Sequence, residues 1–183
     1  KHPPKFVGFI TNYKKSKRYV EYSELKKLVN VKKNGINFVS VLVNPDEYIL
    51  EKIKNINFDF YQLYDVTPKK TELIKKKYKK KIITAITVKN KSDVNKYKNF
   101  KSFSDIILFD SKGYEKSLGF DHRLLNNVPS SINKMLAGNI QFNHRLDKYS
   151  KITDIIDISG SLETSGEKDI SKIKIFLENI SKI

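Results

Sequence analysis

Seven short apolar blocks, each followed by a segment with helical spacing, constrain the fold of this chain more than any other feature. Runs such as Val39-Ser-Val-Leu-Val43 and Ile106-Ile-Leu-Phe109 are nearly continuous in apolar residues, as strands buried on both faces of a sheet are. The predicted strands span residues 6–10, 37–44, 58–65, 81–88, 105–111, 132–138 and 154–159, and the predicted helices span 23–33, 45–56, 68–79, 91–100, 121–126, 143–150 and 169–181. Strict alternation with short connections predicts an α/β protein with a parallel sheet and crossover helices.

Seven βα units at intervals of about 25 residues favour a (β/α)8 TIM barrel that lacks one unit over a doubly wound sheet. The GxGxxG fingerprint of dinucleotide-binding sheets is absent. Because the chain opens directly on a strand, we expect the first βα unit to lie upstream of Lys1. Residues 1–183 are then one barrel domain, with strands 2 to 8 and their helices.

The helix starts also carry signals. Asn44 before Pro45, Thr67 before Pro68 and Ser23 before Glu24 are predicted N-caps, because short polar side chains accept a hydrogen bond from the first helical turn.

Composition excludes several classes of protein. The formal net charge is +16, but only three of the 36 basic residues are arginines, the residue that reads base edges and grips phosphate bidentately. We therefore interpret the lysines as solvated helix faces and predict no nucleic-acid partner. There is no cysteine for disulfides or thiolate metal sites, and we predict no metal. No apolar run is long enough to cross a bilayer, which predicts a cytoplasmic protein with no membrane partner.

Polar residues gather where the predicted strands end, which is where barrels of this type build their sites. The last two strands run into Gly138-Asn139 and Ser159-Gly-Ser161, whose small residues let backbone N–H groups approach an anion closely. Many αβ turns contain Gly and Ser for conformational reasons alone. Asp110 ends another strand, where partial burial suits a carboxyl group to donate a proton, although an aspartate that caps the next loop has the same spacing.

Three further groups of residues have less specific interpretations. Arg18 lies in a basic loop after the first strand and is either a fork for a carboxylate or an ordinary solvated charge. Gln62 and Tyr64 are predicted to point into the mouth of the barrel, or, for Tyr64, to fill it. The three histidines, His2, His122 and His144, are scattered, and we assign them no catalytic or metal-binding role.

Several motifs, taken in order, resemble phosphoribosylanthranilate isomerase of tryptophan biosynthesis. They cover essentially the whole chain, and their shared order carries the resemblance more than any one of them. The motifs are Phe6-Val-Gly-Phe9, Lys15-Ser-Lys-Arg-Tyr-Val20, Val41-Leu-Val-Asn-Pro45, Phe60-Tyr-Gln-Leu63, Ile107-Leu-Phe-Asp-Ser111, Gly119-Phe-Asp121, Leu136-Ala-Gly138 and Asp157-Ile-Ser-Gly-Ser-Leu-Glu163.

The resemblance implies an Amadori rearrangement of a phosphoribosyl substrate without a cofactor. Asp110 matches the family's general acid, Arg18 matches the arginine that contacts the anthranilate moiety, and Asp157 matches a polar residue at the end of the eighth strand. The residues that match the phosphate-binding loops are Gly138, Asn139, Ser159, Gly160 and Ser161. The resemblance also leaves a homodimer open as the assembly.

Three positions depart from the family pattern. The general base of the family is a cysteine that ends the first strand, and this chain contains none. Tyr64 stands where the family usually has His, so that contact is not carried over. Asn139 replaces a glycine, a milder change because asparagine tolerates left-handed backbone geometry.

The leading hypothesis is thus an isomerase whose cysteine is encoded upstream, so that the 183 residues alone are expected to be inactive and poorly stable. One alternative is another phosphosugar-binding TIM-barrel enzyme, since this fold hosts many reactions. A second alternative is a non-catalytic, basic barrel that binds phosphate or RNA through its lysines.

Overall fold

The computed structural model describes residues 3–111 and 119–182. The chain divides into two compact units. The N-terminal unit comprises Pro4–Ala85 and Lys98–Asp105, and the C-terminal unit comprises the described residues of Ile86–Tyr97 and Ile106–Ile183. Each unit consists of parallel strands joined by helical crossovers, so the predicted α/β class is confirmed.

In the N-terminal unit, parallel strands follow one another in chain order. The strands are β1 (Phe6–Ile10), β2 (Asn37–Val43), β3 (Phe60–Tyr64) and β4 (Lys81–Val88), whose last residues belong to the C-terminal unit. Phe6 is paired with Asn37, Val39 with Phe60, and Phe60 with Lys81. The crossovers contain α1 (Tyr22–Val29), α2 (Glu47–Ile53) and α3 (Pro68–Tyr78).

The core of this unit lies between the strands and the helices. Leu42, Tyr61 and Leu63 on the strands and Leu25 and Ile53 on the helices are all buried in one cluster. Because every residue of β3 is buried, this strand is covered on both faces, as expected of a strand in a parallel sheet.

The predicted caps have mixed outcomes. Thr67 caps α3 as predicted, since its side chain accepts from the backbone N–H of Lys70. The prediction for Asn44 is wrong: Asn44 has a φ of +38° and the cap of α2 is Asp46, two residues later. The prediction for Ser23 is also wrong, because α1 already begins at Tyr22.

The C-terminal unit contains shorter elements. Its strands β5 (Ile106–Ser111), β6 (Lys134–Leu136) and β7 (Ile155–Ile156) are parallel, and its helices are α4 (Lys91–Asn95) and α5 (Ile170–Ile180). The segments predicted as helices over 121–126 and 143–150 form single 3₁₀ helices, His122–Asn127 and Leu146–Tyr149. In α5, Phe176 is buried whereas Ile170 is 69% exposed.

A hairpin occupies the segment before α5, where no strand was predicted. Strands β8 (Glu163–Thr164) and β9 (Glu167–Lys168) are antiparallel, and Ser165 and Gly166 between them have φ values of +53° and +88°. Two consecutive residues with positive φ are typical of the tight turns whose twist matches that of a hairpin.

An aspartate precedes each of three strands and binds the backbone of the strand before it. Asp59, Asp105 and Asp154 each accept a backbone N–H at 2.7–2.8 Å. The donors are Phe38 in β2, Ile82 in β4 and Lys134 in β6. Within each unit, a charge-assisted bond of this kind fixes where β3 begins against β2 and where β7 begins against β6, and therefore also the level at which the carboxyl ends of these pairs lie.

Candidate active site

The register of β5, β6 and β7 brings two aspartates to the same level of the sheet. Phe109 is paired with Leu136, and Leu136 with Ile156, so the next residues along the three strands are Asp110, Ala137 and Asp157. The bonds from Ala137 N to Phe109 O (2.9 Å) and from Asp157 N to Leu136 O (2.8 Å) continue this register. Asp110 and Asp157 are thus separated by one buried alanine on the strand between them.

The two carboxyl groups interact electrostatically. The pKa of Asp157 is raised to about 6, mainly by burial and also by the charge of Asp110, although Lys168 and the N–H of Ile158 act in the opposite direction. Asp110 Oδ1 accepts the backbone N–H of Ser111 at 2.7 Å. This pair of carboxyl groups therefore keeps a proton at pH values at which two separate, solvated aspartates would both be ionised.

The turn after β6 is tightly packed and has left-handed backbone. Gly138 has a φ of +97° and Asn139 a φ of +54°, as expected for an asparagine that replaces glycine. A Cβ on Gly138 would lie 2.8 Å from Ser111 Oγ and 3.0 Å from Ser111 N. Only glycine fits there, so β5 and the turn are in direct contact. The predicted general acid, Asp110, immediately precedes Ser111 in the sequence.

The turn after β7 is held from two sides. Ser159 and Gly160 are exposed, whereas Ser161 is half-buried within a 3₁₀ helix, Gly160–Leu162. Ser161 Oγ accepts the backbone N–H of Phe142 at 2.7 Å, which links this turn to the segment after β6. Lys168 Nζ donates to Ser159 O at 3.0 Å and to Ser159 Oγ at 3.1 Å. The two predicted anion-binding turns are therefore joined in one unit.

The remaining predicted residues lie in the N-terminal unit. Arg18 is half-buried in the turn between β1 and α1, where its backbone N–H donates to Ser16 Oγ at 3.1 Å. Gln62 and Tyr64 are buried on the same face of β3, and Gln62 Nε2 donates to the Tyr64 hydroxyl at 3.3 Å.

Two residues near these turns were not predicted to matter. Lys168 lies five residues from Glu163, and only the Ser165-Gly166 turn hints that the two side chains meet. His122 is half-buried between the rings of Phe120 and Tyr149 and hydrogen-bonds the backbone of Gly138. Burial lowers the pKa of His122, although the bond to Gly138 partly opposes this.

The part of the chain that the structure describes contains no group of three or more His, Asp or Glu side chains able to hold a metal ion. No helix within residues 3–111 and 119–182 has the length and apolar character needed to span a membrane.

Comparison with known proteins agrees with the resemblance. Residues 1–179 match the family model for N-(5'-phosphoribosyl)anthranilate isomerase. The isomerase of Thermoanaerobacter pseudethanolicus is 31% identical, with 98% of this chain and 89% of that protein covered. That of Sulfurihydrogenibium sp. is 33% identical, with 94% and 86% covered.

Solved structures show the same fold. The isomerase of Thermotoga maritima has a TM-score of 0.85 at 24% identity, over 98% of this chain and 89% of that one. A structure of phosphoribosyl anthranilate isomerase in complex with reduced 1-(o-carboxyphenylamino)-1-deoxyribulose 5-phosphate has a TM-score of 0.83 at 24% identity, over 98% and 88%. The chain is an isomerase of tryptophan biosynthesis, and it belongs to the N-(5'-phosphoribosyl)anthranilate isomerase family.

Proposed function

We propose that this isomerase catalyses the Amadori rearrangement of N-(5-phosphoribosyl)anthranilate to 1-(2-carboxyphenylamino)-1-deoxyribulose 5-phosphate, the third step of tryptophan biosynthesis from chorismate. The observation that carries the proposal is that Asp110 and Asp157 lie at the same level of the sheet. Ser111, the residue after Asp110, contacts the turn at Gly138, and Asp157 lies two residues before the turn at Ser159. Ring opening of a phosphorylated sugar needs an acid that protonates the ring oxygen and, close to it, backbone N–H groups that bind the phosphate. Neither of the two alternative functions is favoured by the family match.

In this proposal, Asp110 donates a proton to the furanose ring oxygen while the bond from that oxygen to C1 breaks. The nitrogen lone pair forms a C=N bond to C1, and loss of the proton on C2 to a base then gives an enolamine. Protonation of C1 and loss of the proton on the C2 hydroxyl convert this enolamine to the ketone. The reaction is an isomerisation, so no atoms are gained or lost and no redox cofactor is consumed. Asp157 accepts hydrogen bonds from the sugar, and repulsion between the two carboxyl groups helps the pair to retain one proton, which the proposal assigns to Asp110 at the moment of ring opening.

The phosphate is assigned to the turns that contain Gly138, Asn139, Ser159, Gly160 and Ser161. Small residues and left-handed backbone at Gly138 and Asn139 support this assignment, because they expose successive backbone N–H groups. Arg18 is assigned to the anthranilate carboxylate from the resemblance alone. A crystal structure from Thermotoga maritima concerns monomers generated from a dimeric isomerase, and a homodimer of the present chain stays a prediction.

No residue is assigned as the base that removes the proton on C2. The family uses a cysteine, and the 183 residues contain none. We therefore infer that this chain by itself binds the phosphorylated ligand but turns the substrate over very slowly.

Two measurements test the proposal. Calorimetry with the reduced product analogue is expected to give saturable binding that inorganic phosphate competes away and that Asp110→Asn changes little, because the asparagine keeps the shape of the side chain. Turnover of N-(5-phosphoribosyl)anthranilate by the 183-residue chain is expected to be close to background. Absence of binding would overturn the assigned function, whereas rapid turnover would overturn only the inference about the missing base.

A further inference from the structure

Lys168 uses all three of its ammonium hydrogens within its own part of the fold. Its Nζ donates to Ser159 O at 3.0 Å, to Ser159 Oγ at 3.1 Å and to Glu163 Oε1 at 2.7 Å. A lysine has three donors and no acceptor, so its hydrogen-bonding capacity is filled before any ligand binds. Its charge is also offset by Glu163, whose side chain is only 12% exposed. Lys168 is therefore arranged to hold a turn and not to bind a phosphate itself.

The bond to Ser159 Oγ restricts the direction in which that hydroxyl can donate. A serine hydroxyl has one hydrogen to donate and two lone pairs to accept with. Because Lys168 occupies a lone pair, the hydrogen of Ser159 is left to point elsewhere. Ser161 is arranged in the same way, since its Oγ accepts the N–H of Phe142 at 2.7 Å. Both serines of the turn are thus prepared as donors, which is what an anion requires.

The hairpin places Lys168 by register. Glu163 and Lys168 are directly paired across β8 and β9, and residues opposite each other in an antiparallel pair have side chains on the same face. The carbonyl of Ser159 also accepts the N–H of Leu162 at 3.1 Å. The main chain of the turn is therefore held by a 3₁₀ bond and by the lysine together.

Lys168 also acts on the carboxyl pair. Its positive charge favours the ionised form of Asp157, in opposition to burial and to Asp110. One lysine is consequently coupled to both parts of the site: the turn that is assigned to the anion and the second aspartate.

We propose that Lys168, held in place by Glu163, is a positioning residue of this isomerase that orients the Ser159 hydroxyl as an anion donor. This inference rests on the proposed function, because it takes the turn at Ser159 to be the phosphate site. The charge of Lys168 also acts on Asp157 in the free protein, which gives the test a readout that does not depend on a ligand.

The test compares Lys168→Met and Lys168→Arg with the unaltered chain. Calorimetry at a single pH near 7.5 measures binding of inorganic phosphate and of the reduced product analogue, and ¹³C NMR follows the titration of the Asp157 carboxyl without ligand. Lys168→Met is expected to weaken phosphate binding about tenfold and to raise the titration midpoint of Asp157 by about half a pH unit or more. Lys168→Arg keeps the charge, so we expect the Asp157 midpoint to stay near that of the unaltered chain. A role in folding alone would not separate the two variants in this way.

Lys174→Met is the matched control, since it removes an exposed lysine from the helix that follows the hairpin. It is expected to leave both the phosphate affinity and the Asp157 titration unchanged. If Lys168→Met does not fold, Lys168→Gln replaces it, because the neutral amide retains a donor and much of the packing.

The outcomes separate this inference from the proposed function. Equal phosphate affinity in Lys168→Met and the unaltered chain would overturn the inference and leave the isomerase assignment standing. If the unaltered chain binds neither phosphate nor the analogue, the proposed function and the hydroxyl-orienting role fail together.

Discussion

Substitution of Gly138 by alanine tests the packing on which the candidate site depends. At a φ of +97° an alanine is strained, at a cost of about 1–2 kcal/mol. Its Cβ would also lie 2.8 Å from Ser111 Oγ, 2.9 Å from Ser111 Cβ and 3.0 Å from Ser111 N. The backbone nitrogen cannot rotate away, so relief requires the end of β5 or the turn to move, and overpacking of this kind costs about 1–3 kcal/mol more. The sum predicts a loss of about 2–5 kcal/mol in the free energy of unfolding.

Gly166→Ala provides the matched control, because Gly166 has a similar φ of +88° but nothing within 4 Å of the position of a Cβ. It contains the backbone strain without the steric contact, and we expect a loss of only about 1–2 kcal/mol. Urea denaturation of both variants gives the difference, and calorimetry with inorganic phosphate shows whether the turn has moved.

Ser111→Gly in the Gly138→Ala background removes the contacts with Oγ and Cβ but leaves the contact with the backbone nitrogen, so it should recover part of the loss. Equal losses in the two alanine variants, with phosphate affinity intact, would refute the claim that Gly138 is required by its contact with Ser111.

Three further changes have expected outcomes. Asp110→Asn removes the like charge beside Asp157 and should lower the Asp157 pKa from about 6; ¹³C NMR of the carboxyl measures this, and an unchanged pKa would show that the two groups do not interact. Burial holds the His122 pKa below its ordinary value of 6.5, so the unfolded chain takes up more protons and stability is lost as the pH falls below about 6.5. In His122→Phe, urea denaturation at several pH values should therefore show a flatter acid-side decline, whereas a steeper decline would contradict the burial of a neutral ring. Asn12→Ala removes two 2.8 Å bonds between the side-chain amide and the backbone of Val43, and thermal or urea unfolding should show a loss of about 1–3 kcal/mol; a loss below about 0.5 kcal/mol would mean that water replaces both bonds.

The strands were predictable because a strand that is buried on both faces is a nearly continuous run of apolar residues. The run from Ile106 to Phe109 is buried throughout, as a strand covered on both sides must be. The two 3₁₀ helices were not distinguished from α-helices, because four to six residues are too few to separate a repeat of 3.0 from one of 3.6. The start of α2 was misplaced for a different reason: Asn44 takes a left-handed conformation, and the Asp46 side chain accepts from Ile49 N instead.

The candidate site was predictable to the extent that it depends on strand ends. Asp110 and Asp157 lie at one level because parallel strands in register end together, and that follows from the sequence pattern. The contact of Lys168 with Ser159 depends instead on a two-residue hairpin turn, which the pattern of apolar residues does not predict. The bond between His122 and Gly138 depends on how a 3₁₀ helix packs, which is likewise a tertiary property.

Anion binding and proton binding are linked at this end of the strands. Asp157 carries a raised pKa because burial and Asp110 disfavour its ionised form, and a phosphate group bound at the neighbouring turn would add a further negative charge. A bound anion must then favour the protonated pair, and by reciprocity the protonated pair must favour the anion. Lys168 has the opposite effect on the pKa of Asp157, since its positive charge stabilises the ionised carboxylate. In the proposed mechanism, this linkage holds a proton for ring opening while the phosphorylated ligand is bound and releases it when the ligand leaves.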